Sequence, residues 1–141
     1  KDLGRRFLAR HPGARLYQGF GDFSFYRMEV ARAHYVGGFG VAVWVRRDEL
    51  LIPGAPSRAL ARAEAAILER VNNRDADGLR IIANRLLRAR GKHWRLIAAD
   101  PEGGDIRCGN TVHRIRFAKP VADAPRWHRA LGRLRLKARL A

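Results

Sequence analysis

Cysteine occurs once in this chain of 141 residues, at Cys108, so no internal disulfide can form and a thiolate zinc site lacks its ligands. Lysine is scarce too: Lys1, Lys92, Lys119 and Lys137 are the only four among 29 basic residues, and arginine supplies the rest. Long apolar runs are missing. The longest uncharged stretch, Tyr35 to Val45, is about half the roughly 20 residues a membrane helix needs, and three glycines interrupt it. Lys1 to Arg10 is charged throughout where a secretory signal needs an apolar run, so the start is expected to be processed or preceded by further chain, while the single cysteine makes a reducing cytoplasm the expected compartment. No GxSxG elbow, HExxH pair, P-loop or GxGxxG fingerprint is present. The five histidines, at 11, 34, 93, 113 and 128, are scattered, and no two stand four apart on a predicted helix, which argues against a protein zinc site.

What is abundant is positive charge. Against 29 Lys and Arg stand 13 Asp and Glu, a net charge of +16 that raises the question of polyanion binding. The arginine skew also follows from a GC-rich genome, so the plainer reading is a solvated basic surface. With 47% hydrophobic residues there is enough apolar matter for a core in one domain or two small ones.

The hydrophobic period changes near Pro53, which places a boundary at residues 53 to 56. Before it, Arg15 to Gly21, Phe23 to Ala33 and His34 to Val45 are rich in aromatic and β-branched residues and read as consecutive antiparallel strands after a short helical start with Phe7 and Leu8. His11-Pro12-Gly13 reads as the turn between. Gly37, Gly38 and Gly40 interrupt the third strand and mark a bulge, a sharp bend or close approach of a ligand. After the boundary, Ser57 reads as the cap of a helix carrying Leu60, Ile67, Leu68 and Val71. A break near Asn72-Asn73 leads to a second helix with Leu79, Ile82, Ala83 and Leu86, and Gly91 stands as its C-terminal cap. Trp94 to Ala99, Asp105 to Cys108 and Thr111 to Phe117 read as a three-stranded meander, its second turn at Gly109-Asn110. Asp123 caps a last helix with Pro125 in its first turn and Trp127, Ala130, Leu131, Leu134 and Ala138 as its apolar stripe. The second part is therefore α-α-β-β-β-α.

Three groups invite a chemical reading beside a plain one. Asp100, Glu102 and Asp105 cluster at a glycine-rich turn but lack the ligand alternation of a calcium loop. Arg107 beside Cys108 favours a thiolate, although a strand cysteine next to a tight turn is more often a small packed residue. Arg126, Arg129, Arg133 and Lys137 line one face of the last helix, suited to a phosphate backbone or to solvent.

The segments Arg6-Phe7-Leu8-Ala9-Arg10-His11-Pro12, Leu16-Tyr17-Gln18-Gly19-Phe20-Gly21-Asp22-Phe23, Phe25-Tyr26-Arg27-Met28-Glu29-Val30 and Tyr35-Val36-Gly37-Gly38-Phe39-Gly40 together resemble the pyridoxamine 5'-phosphate oxidase-like, haem-utilisation proteins. The second part resembles the C-terminal domain those proteins carry, through Asn72, Ala76, Asp77 and Leu79, then Asp100-Pro101-Glu102-Gly103 with Asp105 and Arg107, then Arg116-Phe117, Pro120-Val121 and Asp123. The resemblance implies an α+β chain: residues 1–53 as the C-terminal strands of an FMN-binding split β-barrel, and 54–141 as a small α/β C-terminal domain. It implies a homodimer, a missing N-terminal half of the barrel, and FMN or haem as cofactor. Two activities go with it, a flavin-dependent oxidoreductase and a haem-degrading oxygenase, and the sequence leaves open whether the chain is an enzyme. Arg27 is the expected contact for a phosphate or propionate, with Gly37, Gly38, Phe39 and Gly40 beside the cofactor, and His113 and His128 as candidates for haem iron. A cross-strand pair with Glu29 or another carboxylate is the competing role for Arg27. Val41 stands where the family commonly has an arginine, and Arg74-Asp75 where it has an acidic residue and a histidine. The alternative function is a basic nucleic-acid-binding or non-catalytic dimerisation module.

Overall fold

Trp127 organises the larger half of the molecule. In the computed structural model, which describes residues 2–52 and 54–141, its indole is fully buried and donates from Nε1 to the Gly103 carbonyl at 2.9 Å. That bond joins the last helix, α5 (Ala124–Leu140), to an antiparallel sheet of β3 (Arg95–Asp100), β4 (Gly103–Cys108) and β5 (Thr111–Arg116), ordered β3-β4-β5. Gly103 has φ 148°, and a Cβ there would lie 1.9 Å from the Ile115 carbonyl oxygen, so no other residue fits the turn. Asp123 caps α5 as expected, accepting from the Arg126 N–H at 2.8 Å.

Two helices, α3 (Gly54–Arg74) and α4 (Ala76–Arg85), complete this unit. Leu60, Ile67, Val71, Leu79, Ile82, Leu96, Ile106, Ile115 and Leu131 meet in one buried cluster with Trp94 and Trp127. The element order α-α-β-β-β-α is as read from the sequence, with shifted ends. Helix α3 already includes Gly54, so Ser57 lies inside it rather than at its cap. The break falls at Asp75, because Asn72 is helical and its amide clamps Leu96, donating to its carbonyl at 2.9 Å and accepting from its N–H at 2.8 Å. Helix α4 ends at Arg85, and the left-handed residue after it is Arg88 (φ 52°), not Gly91. Ala89 N–H reaches the Ala83 carbonyl at 2.9 Å and closes that end early.

β3 is an edge strand, and α3 covers it. Glu64, 1% exposed, accepts from Ala99 N–H at 3.0 Å, while Asn72 serves Leu96. Glu64 to Asn72 rises about 12 Å along a helix, and Ala99 back to Leu96 spans about 10 Å of strand. The two side chains therefore match the strand's free groups in opposite chain direction. The other Glu64 contacts come from helix α1 (Asp2–Arg10): Arg5 at 2.8 Å and Arg6 at 3.4 Å. Arg10 pairs with Asp105 at 2.9 Å, and Arg107 donates to the Ala9 carbonyl.

The remaining segment is built differently. None of the three expected strands forms as drawn: the third, His34 to Val45, breaks at its glycines into a hairpin of β1 (Arg32–Val36) and β2 (Ala42–Arg46), paired antiparallel and followed by the short α2 (Arg47–Leu50). Arg15 to Gly21 is not a strand. Pro12–Leu16 is a 3-10 helix and successive turns follow, Phe20 N–H to the Tyr17 carbonyl and Phe23 N–H to the Phe20 carbonyl, which stack Tyr17 on Phe23 with ring centres 5.5 Å apart. Residues 23 to 31 are irregular, because alternation alone makes no strand without a neighbouring ladder. The glycine run is the β1-β2 turn, closed by Gly37 N–H to the Val41 carbonyl at 2.9 Å.

The architecture is thus α+β, five α-helices and two small antiparallel sheets among the described residues, with no closed barrel. Pro53, where the expected boundary begins, lies outside the described residues. No described helix is long and apolar enough to cross a membrane.

From Leu3 to Ile52 no residue is buried. The accessible surface is 10515 Å², whereas a compact monomer of this mass exposes about 7,400 Å². One face of the hairpin carries Arg32, His34, Trp44 and Arg46; the other carries only Ala33, Tyr35, Val43 and Val45. Such an apolar face in water is a pairing surface. The purified chain is expected to self-associate through it at micromolar concentration by light scattering, and Tyr35→Glu with Val43→Lys to restore a monomer. A monodisperse wild-type monomer contradicts this. Separately, Glu64→Ala removes a buried carboxylate with three partners and should cost about 3 kcal/mol in urea unfolding. Arg5→Ala, at a half-exposed site, should cost under about 1 kcal/mol.

Candidate functional site

The residues singled out from sequence do not converge. Arg27 is exposed and donates to Glu29 Oε1 at 2.6 Å, the expected partner but two residues along the same irregular segment and not across strands. It does line a cleft of about 600 Å³ between α1 and residues 25–27, with Leu3, Leu8 and Phe25 as apolar walls and Arg5 and Arg15 as further cations. Gly37, Gly38, Phe39 and Gly40 lie elsewhere, at the hairpin tip, with Phe39 fully exposed. A Cβ at Gly38 or Gly40 would meet nothing within 4 Å, yet both have positive φ, 65° and 79°. Their backbone conformation is by itself enough to require glycine there.

His113 sits on β5 and packs edge-on against buried Trp94, ring centres 5.6 Å apart. His128 is placed otherwise. Trp127 faces the core, so the next residue, turned by about 100° on a helix, faces the groove between α5 and α3. On α3, Ala63, Ala66, Ile67 and Arg70 recur at i, i+3, i+4 and i+7; on α5, Ala124 and Pro125 lie one turn before His128 and Arg129. The small side chains hold the groove open as a cleft of about 490 Å³. Its walls are apolar, with one half-buried imidazole and two guanidiniums that make no ion pair among the described residues. Burial holds the His128 imidazole below its ordinary pKa, and the Arg70 guanidinium adds to this, with Asp75 opposing. At neutral pH the ring is neutral and can offer a nitrogen lone pair. Sequence had marked Arg129 only as part of a basic face and had passed over Arg70, although its spacing from Ala63 was a readable signal.

The acidic cluster is engaged in ion pairs. Arg114 forks onto Asp100 with two contacts of 2.7 Å and reaches Asp105 at 3.4 Å, and that pairing raises its pKa despite burial. Asp100 also accepts from Glu102 N–H at 2.9 Å, an Asx turn. Among the described residues no group of three or more His, Cys, Asp or Glu is gathered to hold a metal ion. Cys108 is half-buried and free. On the basic face of α5, Arg126 is drawn to its own cap Asp123 at 3.4 Å, while Arg135 beside that face is tied to Asp75 at 2.7 Å.

No family model and no curated protein matches the chain. Solved structures do. A protein of unknown function from Agrobacterium tumefaciens str. C58 superimposes with a TM-score of 0.67 at 22% identity, over 93% of this chain and 53% of its own. A heme-binding protein from Mycobacterium smegmatis superimposes with a TM-score of 0.55 at 24% identity, over 92% of this chain and 55% of its own. The fold is shared, and the chain spans about half the length of each.

The glycine turn gives a direct check. Gly38→Val is strained by about 2 kcal/mol through φ alone, so hydrogen exchange should quicken in β1 and β2 and stay unchanged in β3 to β5. Protection lost equally in both sheets contradicts an isolated turn.

Proposed function

We propose that this chain is the C-terminal portion of a haem-binding protein of the split-barrel type, and that its own contribution to haem is the cleft at His128. One observation carries the reading: the cleft brings together an imidazole kept neutral, apolar walls from two helices and two unpaired arginines. A porphyrin is a flat apolar ring with two carboxylates on one edge and a metal that takes a nitrogen ligand, and each feature has a counterpart here. His128 would ligate the iron, Ala63, Ala66, Ile67 and Pro125 would face the ring, and Arg70 and Arg129 would meet the propionates. Bound haem supplies redox-active iron; the chain supplies position and charge. The resemblance to haem-utilisation proteins and the heme-binding structural neighbour support the same ligand class.

The reading of residues 1–53 as barrel strands and 54–141 as the appended domain fits the same proposal. The apolar hairpin face is covered in the complete protein by the rest of the barrel, and a homodimer supplies a second copy of it. FMN has less support, since Arg27 is held by Glu29 and the glycine turn is apart from the Arg27 cleft. A haem-degrading oxygenase is therefore favoured over a flavin oxidoreductase if the complete protein is an enzyme, in the cytoplasm.

Titration with hemin tests this. The wild-type protein is expected to take up one equivalent with a sharp Soret band, and His128→Ala to shift that band and weaken binding at least about tenfold, as expected for loss of the axial ligand. Arg70→Gln with Arg129→Gln should weaken binding while keeping the band position. His113→Ala should behave as wild type. An unchanged band and affinity in His128→Ala contradicts the site, and stoichiometric FMN binding with absorbance near 450 nm restores the flavin reading.

A further inference from the structure

A second cleft, sharing no residue with the first, opens where α3 turns into α4. It measures about 710 Å³ and draws cations from four places in the fold: Arg74 at the end of α3, Arg80 on α4, Lys92 in the loop before β3 with His93 beside it, and Arg95 at the start of β3. Arg74, Lys92, His93 and Arg95 are exposed and make no ion pair among the described residues. The two acids in the wall are engaged: Asp75 takes Arg135 at 2.7 Å, and Asp77 takes Arg80 at 3.2 Å. Asn72 in the cleft wall is itself held in place, since both polar atoms of its amide grip the Leu96 backbone.

Like charges pushed together from separate elements repel, and nothing in the local fold compensates them. We propose that this cleft binds a run of consecutive phosphates. A single small anion would engage one or two of these cations, whereas the spread of three unpaired ones around about 710 Å³ suits several phosphates in a row. Trp94 lines the cleft but is 2% exposed, so no indole face is offered to a base and recognition is of phosphate charge alone. The same chemistry belongs to a free oligophosphate or nucleoside triphosphate and to a nucleic-acid strand. The polyanion reading of the sequence thus moves from the convex face of α5 to a concave site.

Calorimetric titration at physiological salt with sodium tripolyphosphate, ATP and a 12-nucleotide single strand tests the site in two charge-matched variants. Arg74→Gln, Lys92→Gln and Arg95→Gln together strip the cleft; Arg126→Gln, Arg133→Gln and Lys137→Gln together strip the α5 face by the same charge. The cleft variant should bind the tightest of the three probes at least about tenfold more weakly than wild type, and the α5 variant within about twofold of it. If tripolyphosphate or ATP binds tighter than the strand, the ligand is a free phosphate chain; if the strand binds tighter and tripolyphosphate displaces it, the ligand is nucleic acid. Equal losses in both variants reduce the effect to net charge and overturn the proposal. So does the absence of binding to any probe. Hemin uptake is read separately on the same variants and is expected to be unchanged, so failure here is distinct from failure at His128.

Discussion

The free edge of β3 is the constraint on which the rest depends. A three-stranded sheet leaves two edges, and unpaired backbone groups there must be paired, covered or wetted. Here α3 lies along one edge and presents Glu64 and Asn72, two turns apart, to Ala99 and Leu96. Placing a carboxylate at that depth creates the next requirement, a positive partner, and Arg5 and Arg6 on α1 meet it. One strand edge therefore determines the register of α3 and the docking of α1. Asn72 also lines the cleft between α3, α4 and the start of β3, and the run of α3 beside α5 sets the walls around His128.

The first fifty residues obey another logic. They carry nine of the twelve Phe, Tyr and Trp residues yet bury none of the nine, and their one sheet is two strands, a size that is marginal alone in water. The excess of roughly 3,000 Å² over a compact monomer is of the order of an obligate interface. Helix α1 belongs energetically to the other half, through Glu64, Asp105 and the Arg107 contact. The chain is thus pinned at residues 5–10 and again from α3 onward, with an aromatic loop and hairpin held out between them.

How much of this was legible follows from where the determinants lie. The α-α-β-β-β-α order was readable because each element carries its own period and punctuation: Asp123 with Pro125, Gly109-Asn110, and the stripe of Trp127, Leu131 and Ala138. Element ends were not, since they depend on partners remote in sequence. Asn72 looked like a helix breaker and is instead committed to Leu96, 24 residues away. Glu64 sits in the apolar stripe between Leu60 and Ile67, and a charge in that position was a signal of a buried partner. The strand expected at Arg15 to Gly21 failed for the opposite reason: its residues favour a sheet, but the chain offers no neighbour to complete one. Arg27 and the glycine run were each read for plausible chemistry, while the groove around His128 needs two helices to be seen together.

The net charge takes its meaning from the acids. Glu29, Asp48, Glu49, Glu64, Asp75, Asp77, Asp100, Asp105 and Asp123 all hold an arginine in this structure, and several of those pairs fasten one element to another. Acidic residues are therefore consumed by structure, and what remains on the surface is almost entirely positive. Evenly spread, that remainder would serve solubility alone. It is not even. Arg70 and Arg129 stand beside an imidazole in an apolar groove, and Arg74, Lys92 and Arg95 crowd a cleft whose two carboxylates are already engaged. Carboxylates of an apolar ring suit the first arrangement and a run of phosphates the second, so in the proposed readings one surplus of charge is divided between two ligand chemistries by what lines each hollow.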